Sequence, residues 1–526
     1  MSREKWLANG ILWFTYTLIV IVVLNINVLS LNAVTREYSA VLFNRLFGPS
    51  YADPVASGTC PDRVEPGVPC GAAVITLRQE TLKTLGTSWP MKFFHHATIL
   101  EQIRKHDPRA VVVDILFMDE QADRDPEWLT DQIAAYRQAD IPIYFAAAGD
   151  ASLIPALEEE LGEGTGADKV LVNMRAGELG GRRAKLAHDY FLTYRAKVPG
   201  PNGPAPSAAF EIHNRLVAKP RRLPEIDMAG RADLNLIWGA YPHDLNRMWL
   251  RCTQPLGPLT RAKELLVDPA ALVQPCPSIP SAPAQALVSK LHPNAFWNDP
   301  QRERLIEDRV VFYGSGLVGV SDVIASPTNG KLPGVYTHAM ALNNLLSFGS
   351  DYKRDRVNLL GGLITLTPQR FEAMLAALLA ALTVWGYRPG NAWLNACMQD
   401  RRPAQNGERD RANTDDSGTR ANERGQEASK SSTTDRDDGH GPAHTRPKTQ
   451  FLRWAWYVCF VVVSAVLLIG GAWVSYDQLN LYPINWIQLL GLYSVLGMLA
   501  KYGAIDQVVH AVVQKLCRYR PDPGTR

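Results

Sequence analysis

Three groupings of residues in this 526-residue chain are of types that do chemistry. The first, Gly314-Ser315-Gly316-Leu317-Val318-Gly319, matches the dinucleotide-binding pattern and follows a strand-like run. That pattern works by opening a helix whose N-terminus faces a pyrophosphate, with an acid about 20 residues on for the ribose. Here Pro327 and Gly330 arrive too soon for such a helix, and no acid stands at 334–340, so a nucleotide site is not expected. The second grouping, Asp119, Glu120, Asp123, Asp125 and Glu127, offers oxygen ligands for calcium, but its spacing is not that of an EF-hand and no Gly supplies the sharp turn. A solvated loop is the expectation. The third is histidine: His95-His96 and His338 have no Cys or His partner at zinc spacing. No metal and no cofactor is expected. With neither a nucleophile elbow nor a phosphate loop in the sequence, the chain is read as not an enzyme.

Single residues then stand out. Asp114 and Asp322 follow runs that read as buried strands, and a carboxylate at such a place must be paired or hydrogen-bonded. Each therefore either fastens loops together or faces a ligand cleft, since clefts of open α/β sheets lie beyond the carboxyl ends of strands. His338, opening a helix, either confers a pH response or sits satisfied in the core. Gly314 and Gly334 are read as turn glycines, and Pro327 and Pro333 as shaping a loop.

The elements that must position these residues alternate between strand and helix. Predicted strands are Ala72–Leu77, Ala110–Phe117, Ile143–Ala147, Val170–Asn173, Leu234–Trp238 and Arg309–Gly314, with helices at His95–Lys105, Ala208–Ala218 and Tyr336–Leu346. That alternation is the pattern of an α/β domain. Pro199–Pro206 and Pro269–Pro283 read as surface loops.

Hydropathy governs the rest. Trp6–Thr35 carries no charge, which makes 10–33 long enough for a spanning helix. It lacks the small-x-small site of a cleaved signal peptide. Thr367 suits an N-cap and Pro368 the first helical position of a second span, 367–388, although Arg370 and Glu372 must then lie at the interface. The apolar stretches Trp454–Tyr476 and Tyr482–Ala500 give spans 453–476 and 482–501, edged by the Trp and Tyr of interfacial belts. Lys and Arg near the span ends put residues 1–9 and both termini in the cytoplasm and the block 36–356 outside. The expected fold class is thus an α/β extracytoplasmic domain with four transmembrane α-helices, one before it and three after.

Cysteine usage agrees with that placement. Cys60, Cys70, Cys252 and Cys276 lie in the external block, and an even number in an oxidising compartment suggests two disulfides. Cys60 with Cys70 and Cys252 with Cys276 is the local pairing among three connectivities; unpaired loop cysteines are the alternative. On the inner side, residues 390–450 form a loop read as disordered, because Asp400–Gln450 contains no Val, Ile, Leu, Met, Phe, Tyr or Trp and has nothing to bury. Its ten basic and ten acidic residues cancel, which argues against nucleic acid as a partner. After the last span, within 504–526, Ile505, Val508, Val509, Val512, Val513 and Leu516 recur at helical spacing. They predict an amphipathic helix for the membrane surface, for a copy of itself or for a separate protein.

Two stretches of the external block carry a family resemblance. The first comprises Ala73-Val-Ile-Thr-Leu-Arg-Gln-Glu-Thr-Leu-Lys-Thr-Leu-Gly, Trp89-Pro90, and Asp107-Pro108-Arg-Ala-Val-Val-Val-Asp114-Ile-Leu-Phe117. The second comprises Arg309-Val-Val-Phe-Tyr-Gly314, Asp322, Ser326-Pro327, Leu332-Pro333-Gly334-Val-Tyr-Thr-His338-Ala339 and Leu342-Asn-Asn-Leu-Leu346. Together they resemble the second type of CHASE domain, the extracytoplasmic sensory module of bacterial kinases and cyclases, over roughly 38–350. The resemblance implies a sensory α/β domain at the bacterial inner membrane and adds Trp89 and Lys92 to Asp114, Asp322 and His338 as ligand-binding or loop-organising residues. The chain departs from the family where an acidic pair after the first strand is replaced by Leu77-Arg78-Gln79, where Lys92 stands for the usual Arg, and where the usual cytoplasmic catalytic domain is missing. The expected function is a membrane-anchored sensor that binds an extracytoplasmic ligand or partner and relays to a separate output protein, alone or as a homo-oligomer. The alternative is a structural subunit of a membrane complex that senses nothing.

Overall fold

The computed structural model describes residues 35–45, 69–117, 125–147, 153–162, 167–171, 190–200, 203–217, 233–239, 242–250, 276–288, 299–317, 323–353, 357–359, 364–382, 447–481 and 484–491, with isolated positions elsewhere. They fall into two compact units. The larger holds Val28–Glu372 and Ala472–Ile487.

In chain order its elements are α1 (35–45), β1 (Ala72–Leu77), α2 (Gln79–Leu85), α3 (Phe93–Arg104), β2 (Ala110–Asp114), α4 (Glu127–Gln138), β3 (Ile143–Ala147), α5 (Pro155–Gly162) and β4 (Ala167–Leu171). Then come β5 (Thr193–Tyr194), β6 (Lys197–Gly200), β7 (Gly203–Pro206), α6 (Ala208–Leu216), β8 (Leu234–Asn235), α7 (Asp244–Leu250), β9 (Ser281–Pro283), α8 (Gln285–Val288) and α9 (Asp299–Ile306). The unit closes with β10 (Val310–Ser315), β11 (Val323–Ser326), β12 (Gly330–Pro333), α10 (Val335–Phe348), β13 (Val357–Leu359) and β14 (Ile364–Leu366).

Six strands form one sheet in the order β4-β3-β2-β10-β1-β9, and every neighbouring pair is parallel. The sequence dictates this: Ala72-Ala-Val-Ile-Thr-Leu77 and Val310-Val-Phe-Tyr-Gly-Ser315 are buried throughout, as strands covered by helices on both faces must be. Alternate residues supply two cores. Val74, Val112 and Phe312 join α6 and α10 in one apolar cluster. Ile75, Val113 and Tyr313 join α3, α4 and α5 in the other. Each fully buried aliphatic or aromatic side chain contributes roughly 1.5–3 kcal/mol, so this double layer carries most of the unit's stability.

The strand order has one consequence for function. From β1 the chain moves outward through β2, β3 and β4, later starts again on the far side at β9, and returns to insert β10 between β1 and β2. The reversal point of a doubly wound sheet leaves a crevice at the strands' carboxyl ends. Here those ends belong to β1, β10 and β2.

Several predicted boundaries shift for identifiable reasons. Leu234–Trp238 does not join the sheet; Leu234–Asn235 pairs only with Thr193–Tyr194, because the Asn344 side chain takes both the N–H and the C=O of Ile237 at 3.0 and 3.1 Å and so replaces a neighbouring strand. Pro199–Pro206 lies largely in the β6–β7 hairpin. The Cys/Pro-rich stretch ends in β9, an edge strand, where Pro is tolerated; Asn246 positions it by accepting from the Ser281 N–H at 2.7 Å and donating to Pro277 and Ile279 carbonyls. The fourth sheet strand is Ala167–Leu171 rather than Val170–Asn173.

The smaller unit is Met1–Asn27, Ala373–Gly471 and Gln488–Arg526. It takes in most of α11 (Pro368–Leu382) and of α12 (Pro447–Asp477). The expected cap of α11 forms, with the Arg370 N–H donating to Thr367 Oγ1 at 3.3 Å. Gly471 packs closely on Leu375, and Trp13 Nε1 donates to the Ala377 carbonyl. Among the described residues no helix is long and apolar enough to cross a membrane. The 31-residue α12 covers the expected span 453–476, but several of its side chains lie outside the described residues, as do most of spans 10–33 and 482–501, the loop 390–446 and the amphipathic segment Ile505–Leu516. The four spans therefore rest on the hydropathy of the sequence.

Candidate functional site

Register places Thr76 of β1, Gly314 of β10 and Asp114 of β2 in one row across the carboxyl end of the sheet. All three point to the side of the sheet that carries α6 and α10, two residues beyond Val74, Phe312 and Val112. Gly314 is needed for close approach rather than for a turn: a Cβ there would sit 2.7 Å from the Val335 Cβ. Its absence lets the first turn of α10 settle on the strand ends. Gly334, with φ −59° and ψ −31°, is in ordinary helical conformation, so neither glycine serves the expected turn.

A polar cluster gathers around this row. The Tyr194 hydroxyl lies 2.8 Å from His338 Nδ1 and accepts from the Ala209 N–H at 3.2 Å, tying the starts of α6 and α10 to one oxygen. Ser207 is the N-cap of α6 but makes no capping bond. Among the described residues its fully buried Oγ has no hydrogen-bond partner, although it lies close enough to Tyr194 to help restrain that phenol's pKa. Asp114 is close enough to act on Tyr194 electrostatically, yet among the described residues its carboxylate has no hydrogen bond or ion pair. The residue is partly exposed, but desolvation of the carboxyl pushes its pKa up to about 7.

On the other side of Gly314, Arg78 Nε donates to Thr76 Oγ1 at 3.2 Å, so the guanidinium folds back over the same side of the sheet. Among the described residues it has no carboxylate partner. The Tyr336 hydroxyl, at the head of α10, is buried and has no hydrogen bond among the described residues; Ser281 and Arg78 lie near enough to oppose the rise in pKa that burial causes, but not in bonding geometry.

The chain belongs to the CHASE2 domain family. The match spans residues 17–384, more than half of the sequence. CHASE2 is a sensory domain family, typically extracytoplasmic. No curated protein and no solved structure matches the chain.

Within this CHASE2 chain the expected site residues divide. Asp114 and His338 come together through Tyr194. Asp322 lies outside the described residues. Trp89, exposed, meets the edge of His96 at 6.4 Å, and His96 belongs with Phe117 and Tyr313 on the opposite side of the sheet. Lys92 is exposed at the start of α3. Neither shares the Asp114 cluster. Among the described residues the Asp114 carboxyl makes no hydrogen bond or ion pair, and the strand ends place it close enough to the Tyr194 phenol for the two to interact electrostatically. Tyr194, Ser207 and Arg78 were not expected as site residues; the departure at Leu77-Arg78-Gln79 was the one sequence signal pointing to any of them. The Gly314–Gly319 motif leads on to β11, a strand, so it opens no helix. Cys252 and Cys276 form the expected disulfide, Cα to Cα 5.8 Å; Cys70 is also disulfide-bonded, and Cys60 lies outside the described residues. Among the described residues no group of side chains is arranged to hold a metal.

A second polar cluster lies at the other end of α10. Lys353 Nζ donates to the Tyr476 carbonyl at 2.6 Å and to Asn480 Oδ1 at 2.8 Å, and sits 4.5 Å from the Tyr476 ring centroid and 5.5 Å from that of Phe348. Burial lowers its pKa to about 8, with Asp477 opposing. Nearby in the same unit, Glu372 pairs with Arg36 at 3.4 Å and accepts from the Asn485 N–H at 2.8 Å. Ser39 and Thr35 of α1 bond the Asn485 side chain.

Proposed function

We propose that this chain is a membrane-anchored signal-input protein whose external domain accepts a ligand or partner at the β1/β10/β2 crevice and passes its occupancy to the segment 472–487. The family supports the sensory role, and hydropathy supports the anchor. The observation that carries the relay is the placement of α10. Its first turn sets Val335 against Gly314 of β10 and His338 against the Tyr194 hydroxyl, and its last residue, Phe348, packs on Lys353, which grips Tyr476 and Asn480. At about 1.5 Å per residue the helix spans roughly 20 Å, so a shift at its head must be absorbed at its tail. Output then falls to a separate protein, reached through the 390–450 loop or the Ile505–Leu516 segment.

Hydrogen exchange of the full chain in nanodiscs tests the relay. His338→Ala is expected to raise exchange at 477–481 and 484–487 as well as in the first turn of α10. A change confined to that turn would count against it.

A further inference from the structure

We propose that the first turns of α3 and α4 form a self-complementary surface on which a second copy of this chain docks. This face lies on the other side of the sheet from the Asp114 cluster and does not depend on it. Its centre is an aromatic pair: Phe94 of α3 and Trp128 of α4 meet edge to face with ring centroids 5.1 Å apart, yet they remain 45% and 49% exposed. Trp89, 37% exposed, stands at the same end of the sheet, on the loop that opens α3. Large apolar rings left together in water mark an interaction site, and Trp above all is enriched among the anchors of protein interfaces.

Position removes one occupant. Strands β1, β10, β2 and β3 are parallel, so α3 and α4 each run back from the carboxyl end of one strand to the amino end of the next. Their first turns therefore lie at the carboxyl end. The first turn of α10 rests at that same end, against Gly314, whereas its tail leads to Lys353 and the contacts with Tyr476 and Asn480. The segment that joins two of the expected spans is thus held at the end away from the aromatic pair, and a bilayer surface, the usual setting of exposed Trp in a membrane protein, is on the wrong side.

Charge selects the second copy. Lys92, the N-cap of α3, is exposed, as are Glu127 and Asp131 of α4, and none of the three has an ionic partner among the described residues. Asp131 shares the helix face of Trp128, three residues on. The surface is basic on the α3 side, aromatic in the middle and acidic on the α4 side. A two-fold axis running between the two helices, along them, sets α3 of one copy against α4 of the other, so that Lys92 meets Glu127 and Asp131 twice while the aromatic pairs face each other. Three partly exposed rings supply roughly a few hundred Å², less than the roughly 800 Å² per partner of a standard interface. The pairing is therefore weak in solution and draws on confinement in one membrane, which raises the effective concentration.

Energy transfer between donor-labelled and acceptor-labelled copies of the full-length chain in lipid vesicles, over a series of protein-to-lipid ratios, tests this. Dimers are expected. Trp128→Ala and Phe94→Ala should each weaken them by about 30-fold or more, the scale of losing an aromatic anchor, with melting temperatures reporting that the variants fold. Lys92→Glu, and Glu127→Lys combined with Asp131→Lys, should each weaken self-pairing by about tenfold, because the axis repeats every contact. Mixed together, those two charge variants should pair with each other more tightly than either pairs with itself. Monomers at every ratio, transfer indifferent to Trp128→Ala and Phe94→Ala, or no preference between the two charge variants would overturn the proposal. Monomers whose Trp128 emission shifts with soluble glycan fragments would overturn it in favour of a sugar stacked on the same rings. The exchange experiment on α10 reads the other side of the sheet, so the relay and the dimer surface stand or fall separately.

Discussion

Two histidine–tyrosine pairs lie on opposite sides of one sheet, and their neighbours set them apart. His96 Nδ1 and the Tyr313 hydroxyl are 2.9 Å apart, both side chains are buried, and Phe117 stands edge-on to the imidazole. Desolvation first and His95 second lower the His96 pKa to about 3, so the ring stays neutral and serves as packing with one satisfied hydrogen bond. The His338–Tyr194 pair has nearly the same separation, 2.8 Å, but near it stand a carboxyl and a buried serine hydroxyl that have no hydrogen-bond partner among the described residues, and a helix start without a side-chain cap. A hydrogen-bonded pair does not make a site; unfinished polar groups around it do.

Substitutions should separate the pairs, the largest effect first. His96→Ala removes a filled volume from the core and strands the Tyr313 hydroxyl, so denaturant unfolding should show a loss of about 3 kcal/mol with the crevice chemistry unchanged. Gly314→Ala drives a Cβ into Val335 and should cost about 2 kcal/mol, visible as lower stability and altered exchange at the head of α10.

The pH dependences should have opposite signs. The folded pKa of His96 lies below its ordinary 6.5, so the stability tied to it is present above about 6.5 and is lost as pH falls towards 3. That of Asp114 lies above its ordinary 3.8, so its contribution is fully present below about 3.8 and is lost as pH rises through 7. Asp114→Asn should accordingly stabilise the domain by about 1–2 kcal/mol at pH 8, discounted for partial exposure, and by almost nothing at pH 4. Melting curves of both proteins at the two pH values check this. The smallest effect belongs to Tyr194→Phe, which deletes one hydroxyl shared by two bonds and should cost about 1 kcal/mol in the same assay.

The sequence made the central sheet legible where burial on both faces writes a continuous apolar run: Ala72–Leu77 and Ile143–Ala147 are strands over the expected residues, and Tyr336–Leu346 lies inside α10. It hid the elements whose pairing is supplied by a distant side chain. β9 is ordered by Asn246, and the Ile237 backbone is satisfied by Asn344, more than 100 residues away. Half of the site was visible for a related reason. Asp114 and His338 sit at ends of periodic elements, where polarity in an apolar context is conspicuous. Tyr194 lies in a two-residue strand, and Ser207 directly follows a Pro-rich stretch; neither has a local pattern to mark it. Arg78 was noticed only as a break from the family. The strand order that places it one strand from Asp114 is a long-range property that no local window contains.

The central claim is that Asp114 is a desolvated carboxyl with no partner among the described residues. Infrared difference spectra of the full chain against Asp114→Asn, recorded between pH 5 and 9, measure it directly. A single protonated carboxyl signal, absent from the variant and lost with a midpoint near pH 7, is the predicted result; an Asp114 already ionised at pH 5 would contradict it.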